Sequence, residues 1–235
     1  MIKSFPRQTI AFDHKRYNFK KYLEELYNCD CLQNIHNTHK HLLPSPEQIS
    51  MPWPFNENSL TFHEVFYNKL NEPWQEIIDL YDCFIEDCIS SLIGEDFLYQ
   101  KFPTFRVHLP DFQAVTKWHY DADEDHGHPY GEINFIIPLT EMYDTNAVWC
   151  ESEHLKGDFE PMEADVDEFI LFNGNVLRHG NKINQTEKTR FSFDFRILPI
   201  RHTPVAGLFP DKFGTSATKN KKWESGGYYK KYEKN

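Results

Sequence analysis

Apolar residues first recur at helical spacing and then, from about residue 100, at every second position. Over 17–31, Phe19, Tyr22, Leu23, Leu26 and Tyr27 return at steps of three and four, which predicts an amphipathic helix. Over 73–92, Trp74, Ile77, Ile78, Tyr81, Phe84, Ile85, Cys88, Ile89 and Leu92 repeat the period more strongly. Pro73 at its start, Glu76 in its first turn and Gly94 after its end agree with that direction. The stretch 34–60 between these helices carries four prolines and is expected to be irregular. Eight short strand candidates follow: 102–109, 112–120, 132–139, 147–151, 159–163, 168–172, 176–181 and 189–198. So many short strands with few helices between them predict a mainly β jelly roll, with the N-terminal helices packed on one sheet. Within 132–139, Ile133, Phe135 and Ile137 should meet those helices, while Glu132, Asn134 and Ile136 face the interior. The chain then divides into a helical and loop extension (1–101), a β core (102–200) and a tail (201–235), together forming one domain.

Charge narrows the choice of partner. A formal net charge of −11 argues against nucleic acid and anionic membrane surfaces, which require a basic face, and leaves a small molecule as the expected partner. In the tail, Lys219, Lys221, Lys222, Lys230, Lys231 and Lys234 are interleaved with Trp223, Tyr228, Tyr229 and Tyr232. Against an acidic body this reads as a segment folding back as an active-site cover, or as a disordered terminus. Five cysteines without C-x-x-C spacing, an N-terminus without an apolar signal core, and no membrane-length apolar run lead to a cytoplasmic expectation. Cys29 and Cys31, and the cluster His36, His39 and His41, match no common metal spacing and are read as loop residues. Nothing in the pattern specifies an oligomer.

The candidate chemistry gathers around Trp118-His119-Tyr120-Asp121. His119 and Asp121 are two apart, so in extended backbone they project from one face, and His179 follows in Leu177-Arg178-His179-Gly180. Two imidazoles and one carboxylate with open positions form the donor set suited to non-haem Fe(II) and oxygen chemistry. Arg190 lies eleven residues past His179, and Ser192 shares its strand face. An arginine within an aromatic strand needs an anionic partner, either a bound carboxylate or an acid such as Asp194.

The order His-x-Asp, distal His, Arg-x-Ser resembles the Fe(II)/2-oxoglutarate-dependent dioxygenases. Gly127 to Phe135, Thr145 to Trp149, and Arg178-His179-Gly180-Asn181 through Phe193-Asp194-Phe195-Arg196 resemble in particular the group typified by StrG, a streptomycin-biosynthesis protein. That resemblance implies a double-stranded β-helix and the use of Fe(II), 2-oxoglutarate and O2. It implies His119, Asp121 and His179 as iron ligands, with Arg190, Ser192 and Asn134 holding the cosubstrate. Asn146, Trp149 and Trp118 are candidates for the substrate side, with core packing the alternative for Trp149, and Asp123 in the acidic loop 121–128 either draws a cationic substrate towards the site or belongs to a solvated acidic loop. The expected outcome is hydroxylation, or a related oxidation, of a small polar metabolite such as an amino sugar, an amino acid or a carrier-linked biosynthetic intermediate.

Two other readings remain at this stage. His126, His128 and Glu132 match part of a cupin motif that His179 could complete, although the usual glycine after the glutamate and the Pro-x-Gly before the last histidine are missing. A jelly roll can also bind small molecules without catalysis.

Overall fold

In the computed structural model, which describes residues 6–45, 60–72, 74–114, 118–202 and 228–234, the two periods of the sequence become two layers. Helix α1 (Phe19–Tyr27) starts where the Asn18 side chain accepts from the Lys21 backbone N–H, and it ends at Asn28 in the left-handed region. It buries Phe19, Leu23 and Tyr27. Helix α2 (Thr61–Asn71), directly after the stretch read as irregular, buries Phe62, His63 and Phe66. Residues 46–59, which carry three of the four prolines, lie outside the described residues, as does Pro73. Helix α3 (Gln75–Phe84) runs on through a π turn (Ile85–Ile89) and a last turn (Ser90–Ile93) to Gly94 at φ 74°. The wider π turn rotates the residues after it around the axis, so Leu92, expected on the buried stripe, is 39% exposed.

The strands are β1 (Gln8–Ala11), β2 (Phe97–Gln100), β3 (Thr104–His108), β4 (Ile133–Pro138), β5 (Val148–Cys150), β6 (Glu160–Met162), β7 (Glu168–Phe172), β8 (His179–Asn181), β9 (Arg190–Pro199) and β10 (Tyr229–Tyr232). All named pairings are antiparallel. The larger sheet runs β1-β7-β4-β9-β2-β10 with β3 also on β9, and the smaller runs β6-β5-β8. β1, β2 and β10 come from outside residues 102–200, so the sheet draws on all three stretches of the chain. The run 112–120 forms no strand among its described residues; it touches β8 and the residues after it through two bridges, Gln113 with Ile183 and His119 with His179. Residues 203–227, which hold most of the tail's lysines, lie outside the described residues, whereas 228–234 supply β10, tied to α3 by Lys230 and Asp82 at 2.6 Å.

Alternation in β9 sorts the interior. Phe191, Phe193, Phe195 and Ile197 join Phe105 and Val107 of β3 and Ile133, Phe135 and Ile137 of β4 in the core under the helices. Aromatic rings dominate this core: Phe66 stacks on Phe105 at 4.3 Å, and Phe135 on Phe195 at 5.0 Å. The opposite face packs Ile136, Ile170 and Phe172 against Met142, Ala147, Cys150 and Met162 around the smaller sheet. Between the two sheets, Arg190, Ser192, Asp194 and Arg196 of β9 look into the space where the candidate site lies. Among the described residues no helix is long and apolar enough to cross a membrane.

Candidate metal centre

His119 and His179 sit opposite each other, joined by two backbone hydrogen bonds: His119 N–H to His179 O (3.0 Å) and His179 N–H to His119 O (2.8 Å). Directly paired residues put their side chains on one face, and the two rings lie 4.5 Å apart. Asp121 is held by its own N–H on Gly174 O (2.9 Å) and by its carbonyl, which accepts from His128 N–H (2.9 Å). Its Oδ1 then lies 3.3 Å from His119 Nε2 and 3.7 Å from His179 Nε2. The three donor atoms fall within 4.8 Å of one another, and this buried trio is the group among the described residues that could hold a metal. Two donors each about 2.1 Å from an ion and at a right angle are roughly 3 Å apart, so these separations fit a divalent cation.

Protonation agrees with that fit. Burial alone would raise the Asp121 pKa, but Arg196, His128 and the hydrogen bond from His119 outweigh it and hold the carboxyl well below its usual range. Burial, with His119 alongside, lowers His179 to about 4, so its ring is neutral at physiological pH. His179 Nδ1 lies 3.0 Å from the Leu177 carbonyl, which fixes this nitrogen as the donor and turns Nε2 towards the site.

A cavity joins these groups to the cosubstrate candidates; His119, His179, Asn134, Asn181, Arg190 and Ser192 are among its lining residues. Arg190 is 2% exposed. Its guanidinium donates to Asn181 Oδ1 and Ser192 Oγ, both at 3.2 Å and both neutral. Asp194, the acid named as its possible partner, is bound instead by Arg106 (2.7 Å) and Arg196 (2.8 Å). Asn134 donates to Asp121 Oδ2 at 2.6 Å.

The residues read as substrate-facing are more dispersed. Asn146 is fully buried, with its Oδ1 capping Tyr143 N–H and its amide donating to Thr186, which makes it part of a turn. Trp149 donates to Asp144 O and carries the Lys182 ammonium 3.1 Å over its ring. Trp118 packs on Phe159 and lies close over Gly180, beside His179. Asp123 bonds His126 at 2.7 Å, and His126 stacks on His119 at 3.8 Å, so the acidic loop contributes to holding the His119 ring. The cupin set is not gathered: Glu132 bonds His128 (2.8 Å) and the Tyr229 hydroxyl, away from His179, because Glu132 precedes β4 while His126 turns towards His119.

Sequence reasoning assigned no role to Arg196, Asn181 or Arg106. Arg196 was within reach of it, since Arg190, Ser192, Asp194 and Arg196 share one face by the two-residue period. No sequence signal marked Arg106, whose importance comes from pairing across β3 and β9.

The chain is 37% identical over 146 residues to the streptomycin biosynthesis protein StrG of Streptomyces griseus, an alignment covering 61% of this chain and 65% of that protein, less than two thirds of its length. No protein-family model matches the chain. Among solved structures, the non-haem alpha-ketoglutarate-dependent carbocyclase SnoK from nogalamycin biosynthesis overlays with a TM-score of 0.48 at 11% identity, covering 83% of this chain and 79% of SnoK. AviO1 from Streptomyces viridochromogenes Tue57 gives 0.47 at 12% identity, over 87% and 94% of the two chains. Overlays this loose carry no weight for the chemistry, which rests on the residues themselves.

Proposed function

We propose that this protein is an Fe(II)- and 2-oxoglutarate-dependent oxygenase that hydroxylates, or otherwise oxidises, a small polar metabolite in natural-product biosynthesis, on a double-stranded β-helix formed by the two facing sheets. The observation that carries the reading is the convergence of His119, Asp121 and His179, two of which line the same cavity as Arg190 and Ser192. Three protein donors leave room on a six-coordinate ion for a chelating cosubstrate and O2. Iron with 2-oxoglutarate and O2 supplies an oxidant able to break a C–H bond; in a hydroxylation one oxygen atom enters the product, the other enters succinate, and CO2 leaves.

The chain's own residues bind and orient. Arg190 presents a planar fork for the distal carboxylate of the cosubstrate, with Ser192 Oγ beside it as a further donor. Asn181 keeps that guanidinium in place. Val107, Phe172 and Val148 wall the cavity with apolar surface, which limits water near the reacting carbon. A biosynthetic role is supported by the StrG similarity, and the exposed Glu124 and Asp125 would favour a polar substrate carrying a cationic group.

Anaerobic Fe(II) with 2-oxoglutarate should give the wild type a visible charge-transfer band. Asp121→Ala should abolish the band and succinate formation, Arg190→Met should weaken apparent 2-oxoglutarate affinity at least tenfold, and Glu132→Gln should keep the metal. A wild type without the band, or Arg190→Met with unaltered cosubstrate affinity, would overturn the assignment.

A further inference from the structure

The two oxygens of Asp121 have different neighbours. Oδ1 faces His119 and His179, whereas Oδ2 accepts from Asn134 Nδ2 (2.6 Å) and from Arg196 Nε (3.1 Å). A metal-bound carboxylate with both oxygens available can chelate and so occupy an extra coordination position. Here the outer oxygen already has a neutral and a charged donor in a buried setting, where such bonds are costly to give up.

The donors are themselves fixed. Arg196 is 8% exposed, its Nη1 donates to Asp194 Oδ2 at 2.8 Å, and Asp194 is held from its other oxygen by Arg106 at 2.7 Å. Gln100 Oε1 stands 3.5 Å from Arg196 Nη1 and accepts from the Tyr228 hydroxyl at 2.8 Å, so the residue preceding β10 takes part in the support. Asn134 is 3% exposed, its neighbours include Gly174, and its Oδ1 has no hydrogen-bond partner, so the amide's fixed interaction is the one with Asp121.

We propose that Arg196 and Asn134 are positioning residues that clamp Oδ2 of Asp121, so that the carboxylate offers the metal one oxygen and three coordination positions stay open. This rests on the metal reading above and adds to it a means of keeping those positions open. The arginine's charge is matched between Asp121 and Asp194, so the clamp acts through geometry.

Mn(II) is a suitable reporter because its water proton relaxivity counts the exchangeable waters on the ion. With protein in excess, wild type should show enhanced relaxivity and His179→Ala should lose it. In Asn134→Ala/Arg196→Gln, the freed oxygen should displace one of three waters, lowering the relaxivity of the bound ion by about one third. Asn134→Ala alone should show a smaller fall. Should the double variant fail to fold, Asn134→Ala decides the matter. Wild-type relaxivity in a folded double variant, or in Asn134→Ala when only that variant folds, overturns the clamp. Wild type that leaves Mn(II) at the free-ion value, with His179→Ala no different, overturns the metal reading itself.

Discussion

His108 shows how a single side chain can report on the interior. It lies on β3, fully buried, with Nε2 2.9 Å from Phe112 O, and burial together with the nearby Arg190 lowers its pKa to about 3. Unfolded, the same ring titrates near 6.5, so between those values the unfolded chain binds the extra proton and stability falls as pH drops. Above about 6.5 the effect is absent. In urea titrations, the unfolding free energy of wild type relative to His108→Gln should therefore fall steadily from pH 7 to pH 4; a constant difference would show that His108 titrates normally. Gly174 tests a contact instead of a charge. A Cβ there would stand 2.9 Å from the Asn134 amide and 2.7 Å from the Phe172 ring, so Gly174→Ala should push Asn134 off Asp121 and disturb the ion's surroundings. Mn(II) relaxivity close to that of Asn134→Ala, in a protein that remains folded, is the expected result.

At the scale of elements, the helices and the larger sheet depend on each other's aromatic faces. Phe105 of β3 is fully buried and contacts Phe66 of α2, Phe191 and Phe193 of β9 and Tyr27 of α1. Phe105→Ala should cost about 3–5 kcal/mol, measurable as a lower denaturation midpoint with an unchanged m-value. Its strand also carries Arg106 to Asp194, so the loss should reach the site. The long helix was legible because a 3.6-residue period survives over many residues, but its π turn was not, since one wide turn leaves the composition unaltered. β1 and β10 were missed for a related reason. Gln-Thr-Ile-Ala and Tyr-Lys-Lys-Tyr are four-residue strands on the sheet's outer edges, where one-sided burial leaves too little alternation to read.

For the whole molecule, the C-terminal residues are part of the structure around the site. Tyr228 and Tyr229 are buried, and they reach Gln100 and Glu132. A chain ending at residue 227 should melt roughly 6–24 °C lower, given about 1.5–3 kcal/mol for each of the two buried aromatics and roughly 2–4 °C per kcal/mol at this size. An unshifted melting curve would mean that β10 adds nothing to the fold. The sequence by itself determined what local periodicity and residue chemistry can specify: the helices at 19–27 and 75–93, most of the strands after residue 100, the shared face of Arg190, Ser192 and Asp194, and His119, Asp121, His179 and Arg190 as the residues around which a site would form. Only the tertiary structure decided which oxygen of Asp121 faces the histidines, that Arg196 and Asn134 hold the other, and that Glu132 turns towards Tyr229. Those contacts join residues 13 to 97 positions apart. Their geometry follows from strand pairing and from satisfying buried charges, which no local spacing encodes.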